Sequence, residues 1–112
     1  MDVSMSELRH RISILRPVID TDDEGNILSS SVQELSKAWA LVLPFAAKIS
    51  DGYAEKVQEV DYRIVIRYRA GVRVTDLVQW NGKRLIPIAP PYLLGGKKRW
   101  LVMECRELVE DG

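Results

Sequence analysis

The chain has 112 residues, 46% of them hydrophobic and 29% charged, the size and balance of one globular domain, which excludes a disordered tail or a fibre. Sixteen Lys and Arg against 16 Asp and Glu leave no formal charge, and this argues against a dedicated nucleic-acid reader, which needs an excess of cations on some face. No uncharged stretch reaches the roughly 20 residues that a membrane helix requires, Ala38 to Ala47 having ten, so no membrane association is expected.

The start, Met1 to Glu7, lacks the basic and apolar regions of a secretion signal. One cysteine, Cys105, allows no internal disulfide, so a reducing, cytoplasmic place of folding is expected. With His10 as the one histidine, zinc sites built on Cys or His are excluded, and no metal or cofactor is expected.

Residues 9 to 18 alternate: His10, Ile12, Ile14 and Val18 fall on one side, Arg9, Arg11, Ser13 and Pro17 on the other, which predicts a half-buried first strand. Asp20 to Asn26 is turn chemistry and predicts a hairpin tip. The chain is extended again from about Val32, and Trp39 to Leu43 is apolar at every position, as in a strand covered on both faces. Pro44 ends it or marks an edge. Residues 45–59 carry Ala46, Ala47, Ala54, Glu55, Lys56 and Gln58 and are expected as one short helix or a long loop.

From Val60 to Arg69, Ile64, Ile66 and Tyr68 share one face, with Arg63, Val65, Arg67 and Arg69 on the other. Asp76 to Trp80 and Lys83 to Ile88 flank Asn81-Gly82, the dipeptide of a type I′ hairpin turn. After a loop with Pro90-Pro91 and Gly95-Gly96, Trp100 to Glu107 predicts a last strand, and 108–112 a flexible tail. The expectation is therefore a single domain over 1–112, mainly β: a small antiparallel barrel or sandwich of about six strands, with the helix or loop excursion between strands two and three.

No catalytic constellation emerges. Asp20 to Gly25 superficially follows an EF-hand loop, but its twelfth position is Ser31 and no helices flank it. His10 has no nucleophile motif beside it, and Gly95-Gly-Lys-Lys98 lacks the rest of a phosphate loop. Cys105 alternates with Leu101 and Met103 and reads as a buried apolar filler. Trp39, Trp80 and Trp100 read as core or interface. Basic residues cluster at Arg63, Arg67, Arg69 and Arg73, and at Lys97, Lys98 and Arg99; they suit either a solvated face paired with Asp61, Asp76 or Glu104, or contact with an acidic partner.

Taken in order, Glu7-Leu-Arg-His-Arg-Ile-Ser-Ile-Leu-Arg-Pro17, Trp39-Ala-Leu-Val-Leu-Pro44, Tyr62-Arg-Ile-Val-Ile-Arg-Tyr-Arg-Ala-Gly71 and the strand after Gly82 resemble the tailed-bacteriophage head-tail joining family, also called head closure or head completion proteins. The resemblance covers about residues 6 to 107. It implies a non-enzymatic structural protein of a phage or prophage, a β-barrel subunit of a homo-oligomeric, dodecameric ring at the virion neck, assembled in the host bacterial cytoplasm. The ring would sit beneath the portal or adaptor protein and above the tail or tail-terminator protein, with packaged double-stranded DNA passing through its channel without sequence reading.

By position, Asp51, Tyr53, Glu55 and Lys56 would be channel or gate residues. The subunit or partner interface would use Arg63, Arg67, Arg69, Lys97, Lys98 and Arg99, with the acidic end Glu104, Glu107, Glu110 and Asp111 opposite. The entry Ala46-Ala-Lys-Ile49 departs from the family's Gly-rich pattern, and Pro90 to Gly96 is longer than a minimal loop. The alternatives are an adaptor or tail-completion subunit of the same neck, an OB-like barrel binding single-stranded nucleic acid, and, last, an unrecognised hydrolase.

Overall fold

The computed structural model describes residues 3–51 and 56–111. Among them are seven strands: β1 (His10–Thr21), β2 (Ile27–Asp51), β3 (Lys56–Arg67), β4 (Leu77–Trp80), β5 (Lys83–Pro87), β6 (Tyr92–Leu93) and β7 (Trp100–Asp111), with single 3-10 turns at Met5–Glu7 and Leu94–Gly96. All pairings are antiparallel, in the order β3-β2-β1-β4-β5-β7-β6. An additional β3–β7 pairing closes the series into a ring of six strands, with the two-residue β6 added beside β7. The expected antiparallel barrel is what forms, and β6 is the strand the sequence concealed.

The Asn81-Gly82 hairpin is as expected: Asn81 has φ 54° and Gly82 φ 75°, the left-handed pair that a type I′ turn demands.

Ile12 and Ile14 of β1, Ala40 and Val42 of β2, Ile64 and Ile66 of β3, Val78, Leu85, Met103 and Cys105 fill the barrel. Val65 was expected on the outer face with the arginines, yet it too is buried. A second cluster explains this: Val3 and Leu8, preceding β1, lie with Trp100 and Val102 over Val65 on the outside of β3 and β7. β3 is thus covered on both faces, a buried setting that an alternating pattern cannot announce.

The excursion expected as helix or loop over 45–59 is strand instead. β2 continues to Asp51 and β3 begins at Lys56, in register from Ala46↔Asp61 to Asp51↔Lys56. β7, expected to end at Glu107 before a flexible tail, runs to Asp111 along the other edge of the same stretch of β3. Ladders on both edges of β3 outweigh the helix preference of Ala, Glu and Gln, which is only tenths of a kcal/mol per residue, roughly 0 to 0.7.

Twenty-five residues of β2 at about 3.3 Å each would reach about 80 Å, whereas the longest dimension of the molecule is 45 Å. The strand therefore bends, and three bulges interrupt its pairing. Leu28 and Leu35 are extra against β1, and Phe45 is extra against β3 beside Pro44. Each bulge turns a large apolar side chain outward: Leu28, Leu35 and Phe45 are 68%, 39% and 44% exposed.

A buried ion pair fastens the connection between β3 and β4. Arg16 of β1 donates from Nε and Nη2 to the two carboxylate oxygens of Asp76, both at 2.9 Å, and from Nη2 to the Gly71 carbonyl at 2.8 Å. The Arg73 N–H donates to Asp76 at 2.7 Å. Burial disfavours the charged Asp76, but the Arg16 hydrogen bonds, the Arg73 N–H and the two guanidinium charges prevail and hold its carboxyl below the usual carboxylate range. A depressed acid stabilises the fold above its unfolded value near about 4, and that contribution disappears as pH falls toward the lower folded value.

Asp76→Asn is therefore expected to cost about 2 to 3 kcal/mol at neutral pH, with the difference from wild type shrinking below about pH 4 in urea titrations. Burial, and next the Glu104 charge, push the Cys105 thiol up to about 12. Alkylation of Cys105 should accordingly follow global unfolding, with a rate that tracks denaturant as the unfolding transition does, rather than proceed in the native state.

Candidate functional site

The β3–β7 register pairs Arg67 with Trp100 and so joins two basic stretches that are 30 residues apart in the chain. Beyond that pair the Tyr68 N–H donates to the Arg99 carbonyl at 3.0 Å. Lys98 Nζ lies 5.9 Å from the centre of the Tyr68 ring, and the Arg99 guanidinium 5.6 Å from that of Trp100. Arg69 donates to the Ser36 hydroxyl, and Arg67 Nη1 sits 3.5 Å from Met5 Sδ. Lys97 is exposed on the turn that leads into β7.

Arg67, Tyr68 and Arg69 form one wall of an open groove of about 550 Å³, whose floor and opposite wall are Met5, Leu8, Ala38 and Trp39. The sequence reading missed these four. Trp39, expected in a strand covered on both faces, is 54% exposed, because its register partner Arg11 places a guanidinium 5.1 Å over the ring in place of an apolar neighbour. The signal available was the Arg9/Arg11 side of β1, which opposes β2 at this point.

Arg63 stands apart from this groove. It pairs with Glu104 of β7 at 3.3 Å and lies 4.9 Å from the Phe45 ring. Glu107 of the acidic end is also committed within the fold: 8% exposed, it accepts from Tyr62 Oη at 3.1 Å and pairs with Lys83 at 3.4 Å. Burial and then the Glu107 carboxylate raise the Tyr62 phenol above its usual value. Among the described residues, ion pairs engage Arg16, Arg63, Lys83 and Arg106; Arg67, Arg69, Lys98 and Arg99 have no carboxylate in reach. The groove is thus an apolar trough with an uncompensated basic rim.

At the far end of β1 and β2 the chemistry reverses. The tip carries Asp20, Asp22, Asp23 and Glu24. Asp22 is occupied by the turn itself, accepting from the Asn26 and Glu24 N–H groups at 2.8 and 2.9 Å, and its hydrogen bonds with Asn26 hold its carboxyl below the usual range. Asp20 accepts from the Ser29 hydroxyl at 2.9 Å. Beside them Ile19, Ile27 and Leu28 are 58%, 65% and 68% exposed.

Of the candidate gate residues, Tyr53 and Glu55 lie outside the described residues. Asp51 and Lys56 are the end of β2 and the start of β3 and are register partners.

The family model described as "Phage head completion protein" matches residues 3–108. No curated protein matches the chain. Among solved structures, a chain from the virion of a native gene transfer agent particle superposes with a TM-score of 0.75 at 17% identity, covering 90% of this chain and 94% of that one. Protein SF1141 from Shigella flexneri 2a superposes with a TM-score of 0.69 at 24% identity, covering 94% and 96%. The xkdH protein of the phage-like element PBSX from Bacillus subtilis gives 0.50 at 15% identity, covering 87% and 92%.

Because no carboxylate among the described residues pairs with the groove arginines, Arg67→Glu with Arg69→Glu should leave the unfolding free energy within about 0.5 kcal/mol of wild type. Thermal melts of the double variant check this and make it a surface probe for the assays that follow.

Proposed function

The chain belongs to the phage head completion protein family, and we propose on that premise that it forms a ring at the portal vertex, closes the DNA-filled head and presents the docking surface for the tail. What supports this reading is that the family match extends over residues 3–108, nearly the whole barrel and both of its exposed surfaces. A structural virion subunit acts through shape and adhesion: it needs a rigid body, and surfaces left unsatisfied until a partner arrives. The closed sheet supplies the first, and the basic, apolar groove and the acidic, apolar tip supply the second.

Within this proposal DNA passes through the ring lumen without being read. Each phosphate contact strengthens binding and steepens its salt dependence, so a chain of zero net charge lets the duplex slide. β2 and β3 carry the chain out to Asp51 and Lys56, and the segment they bracket, with Tyr53 and Glu55, is the proposed gate. Arg67, Arg69, Lys98 and Arg99 are proposed for the subunit or partner interface. Arg63 is proposed for the same interface, although Glu104 already holds its charge within the fold.

Electron microscopy of the purified chain mixed with DNA-filled, tailless heads tests the proposal. The expected result is added density at the single portal vertex and heads that retain their genome; no density there, or genome retention and tail attachment in its absence, contradicts it. Binding to the head-proximal end of separately purified tails instead would favour the neighbouring tail-completion role. The exposed Trp39 beside Arg11 also suits a single-strand binder, and salt-dependent binding of short single strands by a monomer would favour that second reading.

A further inference from the structure

We propose that the acidic tip of the β1–β2 ribbon of one subunit seats in the arginine–aromatic groove of the next copy, so that one repeated contact builds the ring; the inference rests on the reading of the chain as a ring subunit. The two surfaces match in kind. The groove offers Met5 and Trp39, 55% and 54% exposed, beneath Arg67 and Arg69. The tip offers Leu28 and Ile27, 68% and 65% exposed, beside Asp23 and Glu24. Each surface places apolar area next to charge, and the charges are opposite in sign, which gives both adhesion and register.

The tip cannot serve its own groove. Trp39 and Leu28 lie on the same strand, β2, eleven residues apart, a contour of about 35 Å. Over that length β2 is paired with β1, from Arg11↔Trp39 to Thr21↔Ile27, so the ribbon is held extended away from the groove. Beyond Leu15 β1 no longer pairs with β4, and the ribbon continues as two strands with Ile19, Ile27 and Leu28 exposed, which is a marginal arrangement in isolation. A second copy supplies the missing cover.

A nucleic-acid strand could answer the arginines with phosphates and Trp39 by stacking, but the tip brings carboxylates and aliphatic side chains together in one rigid turn. Because tip and groove are different surfaces, the contact is heterologous. It repeats head to tail and closes when the rotation per subunit divides a full turn.

The test uses two charge variants, Arg67→Glu/Arg69→Glu and Asp23→Lys/Glu24→Lys; Asp22 is left alone because it holds the turn. In sedimentation velocity over a concentration series, wild type is expected to self-associate and each variant alone to do so at least about tenfold more weakly. An equimolar mixture should recover association, since the acidic tip of the first variant meets the arginine groove of the second, and the lysine tip of the second meets the glutamate groove of the first.

Variants that associate as wild type does, or a mixture no better than its parts, overturn the proposal. So does a wild type that stays monomeric at about millimolar concentration, or a wild type that shows no self-association while binding single strands through Arg67 and Arg69. Each of these leaves the density at the portal vertex free to be seen, so failure of the contact and failure of the ring reading are told apart.

Discussion

The β3–β7 ladder is the constraint on which the rest of the molecule depends. Its twelve register pairs, from Lys56↔Asp111 to Arg67↔Trp100, turn a series of hairpins into a closed wall and remove two edges that would otherwise invite indiscriminate strand addition. The same pairing encloses β3, with Ile64 and Ile66 packed inward and Val65 packed outward under Val3 and Leu8. It also fixes where the basic residues meet, because Arg67 and Trp100 are partners and Tyr68 is bonded to Arg99. Core, closure and the basic wall of the groove follow from one set of backbone bonds.

The charges divide along this frame. Arg16, Arg63, Lys83 and Arg106 are consumed internally, each by a carboxylate on another strand or on the β3–β4 connection. Pairs of that kind, partly withdrawn from water, hold geometry more than they add net stability. Arg67 and Arg69 sit at the rim, where their contacts are to Met5 and Ser36 and where an outside carboxylate meets them with little desolvation. A neutral chain can therefore carry a basic groove and an acidic tip at once, and neutrality of the total says nothing about the polarity of the subunit.

Much of the barrel was legible in the sequence because local chemistry and global fold agree there. Asn81-Gly82 needs positive φ at both residues and the hairpin uses it; Ile12, Ile14, Ile64 and Ile66 alternate and point inward. What misled were places where distant partners decide. Ala46 to Asp51 and Leu108 to Asp111 read as helix or tail by composition, yet each lies against β3, a partner that propensity does not see. Val65 looks solvent-facing until Val3 and Leu8 cover it. The groove shows the same pattern. Its arginines were visible as a cluster, whereas Trp39 joins them through cross-strand register and Met5 from the turn before β1, and Leu28 at the tip is turned out by a bulge that no period-2 pattern marks.

Hydrogen exchange on the free chain and on the chain bound to DNA-filled heads tests the central claim most directly, that a pre-closed barrel presents separate docking surfaces. The account predicts that the amides of Ile64 to Ile66 and Val102 to Cys105 are among the slowest in the free chain and unchanged by binding. Added protection should fall on the groove around Trp39 and Tyr68 and on the ribbon tip around Leu28. Rapid exchange along β3 and β7 in the free chain, with protection of the barrel strands gained only on binding, would contradict it.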